Sequence, residues 1–173
     1  MIRFIIGNLK SLWPVLVIVA CIAIASSCGR REVEEMSENN KLNQIDLDKY
    51  RWKNRLVLIF APSSEDSSYL KQRSEFEGKA DELEDRNIIV IELLKVGRSM
   101  MAELPLTDEQ QSFLRKQFEA VNDFIFILIG KDGIVKLRAE QPVLSDNLFA
   151  MIDSMPMRKE EMRRKANQSQ NLD

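Results

Sequence analysis

Histidine is absent from the 173 residues, and its absence excludes more chemistry than any residue present suggests. The usual general base and commonest metal ligand is missing, which removes Ser-His and Cys-His catalysis and histidine-containing zinc sites. Cysteine is nearly absent: Cys21 and Cys28 lie in or just after an N-terminal apolar run, so the body of the chain has no thiol and no internal disulfide. An excess of positive charge is lacking too. The 25 basic residues lose Arg3 and Lys10 with an N-terminal leader, leaving 23 against 27 acidic, a balance of −4 that offers nucleic acid no attraction. Gly130-Lys-Asp-Gly133 lacks the spacing of a phosphate loop and precedes a strand pattern rather than a helix, so it reads as a hairpin turn. No cofactor and no metal are implied.

What is present is ordinary for a folded domain: 45% hydrophobic and 30% charged residues, enough apolar surface for one core. The first stretch reads as an address. Arg3 and Lys10 precede the run LWPVLVIVACIAIA, Leu12 to Ala25, followed by Ser26, Ser27 and Cys28, as in a secretory signal. The run is shorter than the ~20 residues of a spanning helix. The segment ASSCG resembles a bacterial lipoprotein signal and nominates Cys28 for lipidation, although Ala25 stands where such signals prefer leucine. The triplet Ala23-Ile-Ala25 also fits plain cleavage, and an uncleaved anchor is the third option. The expected organisation is a lipoprotein-type signal over 1–27, a flexible tether over 28–44, a folded domain over 45–165 and a disordered tail over 166–173.

Within the domain, RLVLIFA from Arg55 is almost continuously apolar, as a strand buried on both faces requires. Leu47, Tyr50 and Trp52 are expected to lie on the core edge ahead of it. After Pro62, Ser63 is expected to cap a helix with Asp66 at the capping-box position, and Tyr69, Leu70, Arg73, Phe76, Ala80 and Leu83 continue at helical spacing. NIIVIELL, from Asn87 to Leu94, is a second buried strand. KVGRSMMAELPL reads as a loop, and Thr107 with Gln110 opens a second helix. FIFILIGKDGIVKLR carries the strongest hairpin signal in the chain. Ser145 begins another helix, and Pro156 suits the first turn of the next. A β-α-β-α-β-β order of this kind places helices on both faces of a mixed sheet. It defines an α/β, thioredoxin-like three-layer sandwich.

Three stretches carry a closer resemblance: WKNRLVLIFAPS at Trp52 to Ser63, FILIGKDGIVKLR at Phe126 to Arg138, and IDSMPMRKEEM at Ile152 to Met162. Together they resemble the domain of unknown function 4174, a thioredoxin- and peroxiredoxin-like family shared by bacterial exported proteins and by sushi-repeat-containing and coiled-coil-containing extracellular proteins of animals. The resemblance implies a thioredoxin-like fold without redox cysteines and supplies no catalytic residues. Against thioredoxins proper, FAPSSEDSS places Ser64 and Ser67 at the Cys-x-x-Cys positions. Asn122 precedes Asp123 where thioredoxins carry the cis-proline of the substrate groove.

A hydroxyl cannot form a disulfide, and a helix N-terminus cannot make it a useful anion at neutral pH as it does a thiol. Ser63, Ser64, Ser67 and Asn122 therefore mark a degenerate redox corner and a possible groove. A serine nucleophile there would need a carboxylate or Lys71 as base, and a helix-start role explains the corner better. Met151, Met155, Met157 and Met162 evoke copper(I), but core filling accounts for them better. RKEEMRRK, from Arg158 to Lys165, reads as a solvated helix with its own ion pairs. The expectation is an exported, membrane-anchored lipoprotein facing the periplasm or cell surface. It would bind an unidentified protein or envelope component rather than catalyse. A thioredoxin-related oxidoreductase working through partner thiols and a purely structural envelope lipoprotein remain the alternatives.

Overall fold

The computed structural model describes residues 45–121 and 123–170. Cys28, the leader, the tether and Asn122 lie outside the described residues. The described elements belong to a unit spanning Ile45–Asp173.

A short 3-10 turn at Leu47–Tyr50 leads into β1, Arg55–Ser63. Next come α1 (Ser67–Phe76), α2 (Ala80–Asp85) and β2 (Ile88–Val96), then two short strands, β3 (Met100–Met101) and β4 (Leu104–Pro105). The remainder is α3 (Asp108–Gln117), β5 (Ile125–Ile129), β6 (Val135–Ala139), α4 (Ser145–Ser154) and α5 (Pro156–Gln170). The six strands form one mixed sheet in the order β4-β3-β2-β1-β5-β6. Only β1 and β2 run parallel, and the other neighbours are antiparallel.

The unbroken apolar run of β1 makes it central. Successive side chains point to opposite faces. Val57, Ile59 and Ala61 enter a core shared with Tyr69 of α1 and Leu148, Phe149 and Ile152 of α4. Leu56, Leu58 and Phe60 enter a second core with Leu114 of α3, closed at its margin by Ile45, Leu47 and Tyr50. Helices therefore cover both faces, and the three-layer expectation holds. The hairpin closes through Gly133 at φ 79, a left-handed conformation that glycine adopts without strain. Thr107 and Gln110 form the expected reciprocal capping box.

Several local expectations are corrected. The helical pattern after β1 is two helices, because Gly78 at φ 72 breaks it between Phe76 and Ala80. Asp66, not Ser63, is the N-cap of α1: its carboxylate accepts from the Tyr69 backbone N–H at 2.9 Å, while Ser63 is the last residue of β1. The stretch after β2 contains β3 and β4 rather than a plain loop. Trp52 is 63% exposed, not packed on the core edge. It sits at φ 64 with its N–H donating to the Lys131 carbonyl at 2.6 Å and the Arg51 guanidinium 5.9 Å from its ring centroid. Of the four methionines, only Met155 packs against a core; Met151, Met157 and Met162 are exposed. Helix α5 continues through Ala166 to Gln170, past the expected boundary at Lys165. Lys165, which pairs with Asp85, and Ser169, which donates to the Lys165 carbonyl, sustain that last turn.

Candidate functional site

The C-terminal ends of the two parallel strands are where open α/β sheets usually place ligands. Here that end carries the serine corner. Ser63 pairs with Val96 across the sheet, and its Oγ accepts from the Glu65 N–H at 3.3 Å. Ser64 lies in the exposed turn and Ser67 is the exposed first residue of α1. Neither hydroxyl makes a hydrogen bond among the described residues. Beside Asn122, Asp123 accepts from Lys95 Nζ at 3.3 Å, which ties the approach to β5 to the end of β2. Val96 and Val121 stand out at this end with 71% and 81% exposure. The corner is thus an exposed, apolar and hydroxyl-bearing surface, with Glu65 and Asp66 unfavourable to an anion.

Directly behind it lies Arg115 of α3, which sequence reasoning did not single out. Its Nη2 donates to the carbonyls of Ala61 at 3.0 Å and Leu93 at 2.6 Å, and its guanidinium lies 5.5 Å from the Phe60 ring centroid. Nε and Nη1 are buried without partners, and burial lowers its pKa. The arrangement fastens α3 to both parallel strands where they leave the core. Along the flank of α1 an open cavity of about 460 Å³ runs between Leu70, Arg73 and Phe76 on one side and Val90 and Glu92 on the other. Burial, with Glu92 beside it, pushes the Tyr69 phenol up to about 12. The phenol therefore stays protonated at neutral pH.

The opposite end of the sheet is built differently. Arg55, at the start of β1, is 1% exposed, and its Nη1 donates to the Arg86 carbonyl at 2.7 Å. Nη1 and Nη2 also reach the Glu161 carboxylate of α5 at 3.2 and 3.3 Å. Lys131, in the hairpin turn, donates to Glu161 at 2.9 Å and to Asn87 Oδ1 at 2.7 Å. Arg158 pairs with Asp85 and, at 3.0 Å, with Asp153, which also accepts from Arg86 at 2.6 Å. Burial alone would raise the Glu161 and Asp153 carboxyls. Hydrogen bonds from Lys131 and Arg55 to the first, and from Arg86 and Arg158 to the second, hold both below the usual carboxylate range.

This network corrects the reading of RKEEMRRK. Its outer face does carry its own pairs, Glu160 with Arg163 and Arg164. Arg158 and Glu161, however, face inward. A sequence signal existed: Arg55 adjoins a fully buried strand, and a charge carried into such a place needs a partner. A second cavity of about 300 Å³ opens beside the network, walled by Arg55, Lys131, Asp132, Lys136, Met155 and Met157. Neither cavity is lined by Ser63, Ser64 or Ser67. Among the described residues no group of three or more acidic, cysteine or histidine side chains could hold a metal ion.

The fold has a solved counterpart in the reduced 2-Cys peroxiredoxin of Plasmodium vivax, with a TM-score of 0.51 over 67% of this chain and 85% of that one. Identity is 16%, so the likeness is one of fold. In sequence, the chain is 29% identical over 134 residues to the sushi repeat-containing protein SRPX2 of Xenopus laevis, covering 73% of this chain and 29% of that protein. It is 30% identical over 134 residues to coiled-coil domain-containing protein 80 of Danio rerio, covering 67% of this chain and 15% of that protein. The chain thus spans less than a third of the length of these relatives. Residues 46–161 match the model of the domain of unknown function DUF4174, and the chain belongs to that family.

Proposed function

We propose that this chain is a non-catalytic interaction module on a thioredoxin-like scaffold, exported and held at a membrane by a lipid on Cys28. The observation that carries the reading is the state of the corner. Ser64 and Ser67, at the positions of a Cys-x-x-Cys pair, are exposed hydroxyls with no hydrogen bond among the described residues, in a domain that contains neither thiol nor imidazole. Exposed Val96 and Val121 at the same end of the sheet supply contact surface of the kind a partner protein covers. Export and anchoring rest on the basic start, the apolar run and the small residues before Cys28. The partner is a protein or another component of the cell envelope.

The test is a dithiol-dependent disulfide and peroxide reduction assay on the full chain with Cys21 and Cys28 replaced by serine. No turnover above buffer is expected. Measurable turnover would replace the binding reading with an oxidoreductase working through partner thiols. Mass spectrometry of the membrane fraction tests the anchor: a mature chain starting at Ser26 with an unmodified Cys28 would refute lipidation.

A further inference from the structure

The three stretches on which the family resemblance rests lie far apart in the chain, yet all three meet at one place. Arg55 from the first, Lys131, Asp132 and Lys136 from the second, and Met155 and Met157 from the third wall the 300 Å³ cavity at the start of β1. The serine corner lies at the other end of that strand. We propose that this cavity is a binding site for a small carboxylate with a short apolar body, a site that goes beyond the non-catalytic reading and does not depend on it.

Four observations carry the assignment. First, the charge is unbalanced. Arg55, Lys131 and Lys136 surround the cavity, while Asp132 is engaged by Lys136 at 2.6 Å and Glu161 by Arg55 and Lys131. With Arg158 also 3.8 Å from Glu161, the cations at and behind the cavity outnumber these two carboxylates. Second, Arg55 forms part of the wall at 1% exposure, and both its terminal nitrogens are held, by the Arg86 carbonyl and the Glu161 carboxylate, so that its charge is fixed in place there. Third, Pro156, also in the wall, is the first residue of α5, a helix of 15 residues. Its N-terminus adds a partial positive charge on the same side.

Fourth, Met155 and Met157 supply an adaptable apolar wall, and the volume lies at the small end of ligand pockets. A carboxylate answers that surplus. A phosphate dianion brings twice the charge toward Asp132 and Glu161, and a neutral molecule leaves the surplus unanswered. The carboxylate can belong to a free short-chain acid or to the C-terminal residue of a peptide, whose side chain would occupy the apolar part.

The experiment is isothermal titration of the full chain in detergent micelles with butyrate, N-acetyl-Ala-Leu, butyramide and inorganic phosphate. At least one of the two carboxylates is expected to bind once per chain, about tenfold or more tighter than butyramide and phosphate. The stronger of the two identifies the source as free acid or peptide end. Met157→Glu brings a carboxylate to the cavity at a residue exposed enough to be replaced without unfolding. It is expected to weaken binding about tenfold at an unchanged melting temperature. Lys136→Gln, which removes a cation and frees Asp132, is expected to weaken it about threefold. Equal binding of butyrate and butyramide, tighter binding of phosphate, unchanged affinity in Met157→Glu, or no saturable binding of either carboxylate overturns the proposal. None of these outcomes bears on the dithiol assay.

Discussion

The two ends of β1 make opposite use of one strand. At its C-terminal end the chain reaches a turn of exposed serines, a single carboxylate cap at Asp66 and two protruding valines. At its N-terminal end Arg55 enters a buried network of arginines, lysines and carboxylates drawn from the α2–β2 connection, the hairpin turn, α4 and α5. At the end where a thioredoxin-like sheet ordinarily does its chemistry, the corner itself is held by local contacts, while Arg115 and the Lys95–Asp123 pair fasten the strands behind and beside it. The other end is held by contacts that only the folded chain can assemble. The same fold can therefore be held together far from the place where related sheets carry their chemistry.

Substitutions that spoil one end without the other break the comparison most directly. Arg55→Met removes the cation from Glu161 and from the Arg86 carbonyl, leaving Lys131 as the main neutraliser. Loss of one member of a buried pair costs about 3–5 kcal/mol, read as a large fall in the denaturation midpoint. Corner changes are expected to be milder. Asp66→Ala removes the cap and costs about 1 kcal/mol, and Ser64→Ala with Ser67→Ala stays within about 0.5 kcal/mol per site, both by urea denaturation. A corner as costly as the network would overturn the contrast.

Acid sharpens it further. Glu161, Asp153 and Asp85 all have folded-state pKa values below the ordinary carboxylate range. Their stabilisation is therefore fully present above the unfolded-state values near 4 and is lost as pH falls through the lower folded-state values. Melting temperature is expected to drop from about pH 4 downward, and Glu161→Gln is expected to be less stable at neutral pH with a shallower acid slope. The smallest effect concerns Tyr69. Of the two tyrosines in the chain, it is expected to ionise near 12 in an ultraviolet titration, and Tyr69→Phe is expected to abolish that late component. Because the folded-state value is raised, its contribution is present below about pH 10 and declines as the phenol ionises.

Much of the architecture was legible in the sequence because its signals are local. The continuous apolar run of β1 places it at the centre of the sheet, Asp132-Gly133 marks the hairpin, and Thr107 with Gln110 marks the start of α3. The misreadings share a physical cause. Gly78 interrupts a helical period that Ala80 and Leu83 seem to extend, since periodicity does not register one left-handed residue. Trp52 is held outside by a hydrogen bond to Lys131, a partner distant in sequence. Arg158 and Glu161 have the spacing of an intrahelical ion pair, which in a sequence cannot be told from the spacing of two side chains turned toward Asp85 and Arg55. The serine corner is legible in the sequence because its residues are contiguous. The charged cavity becomes visible only when three distant stretches are brought together.

The pairing of Arg55 with Glu161 links residues 106 positions apart, and this orders events along the chain as well as contacts in space. A growing or truncated chain that stops before α5 has its central strand but no carboxylate for the arginine at its head. That charge then resists burial and delays closure of the sheet around β1. The last helix thus acts as a latch. A chain ending at Ser154 should remain open and protease-sensitive, and a chain that includes Glu161 should not.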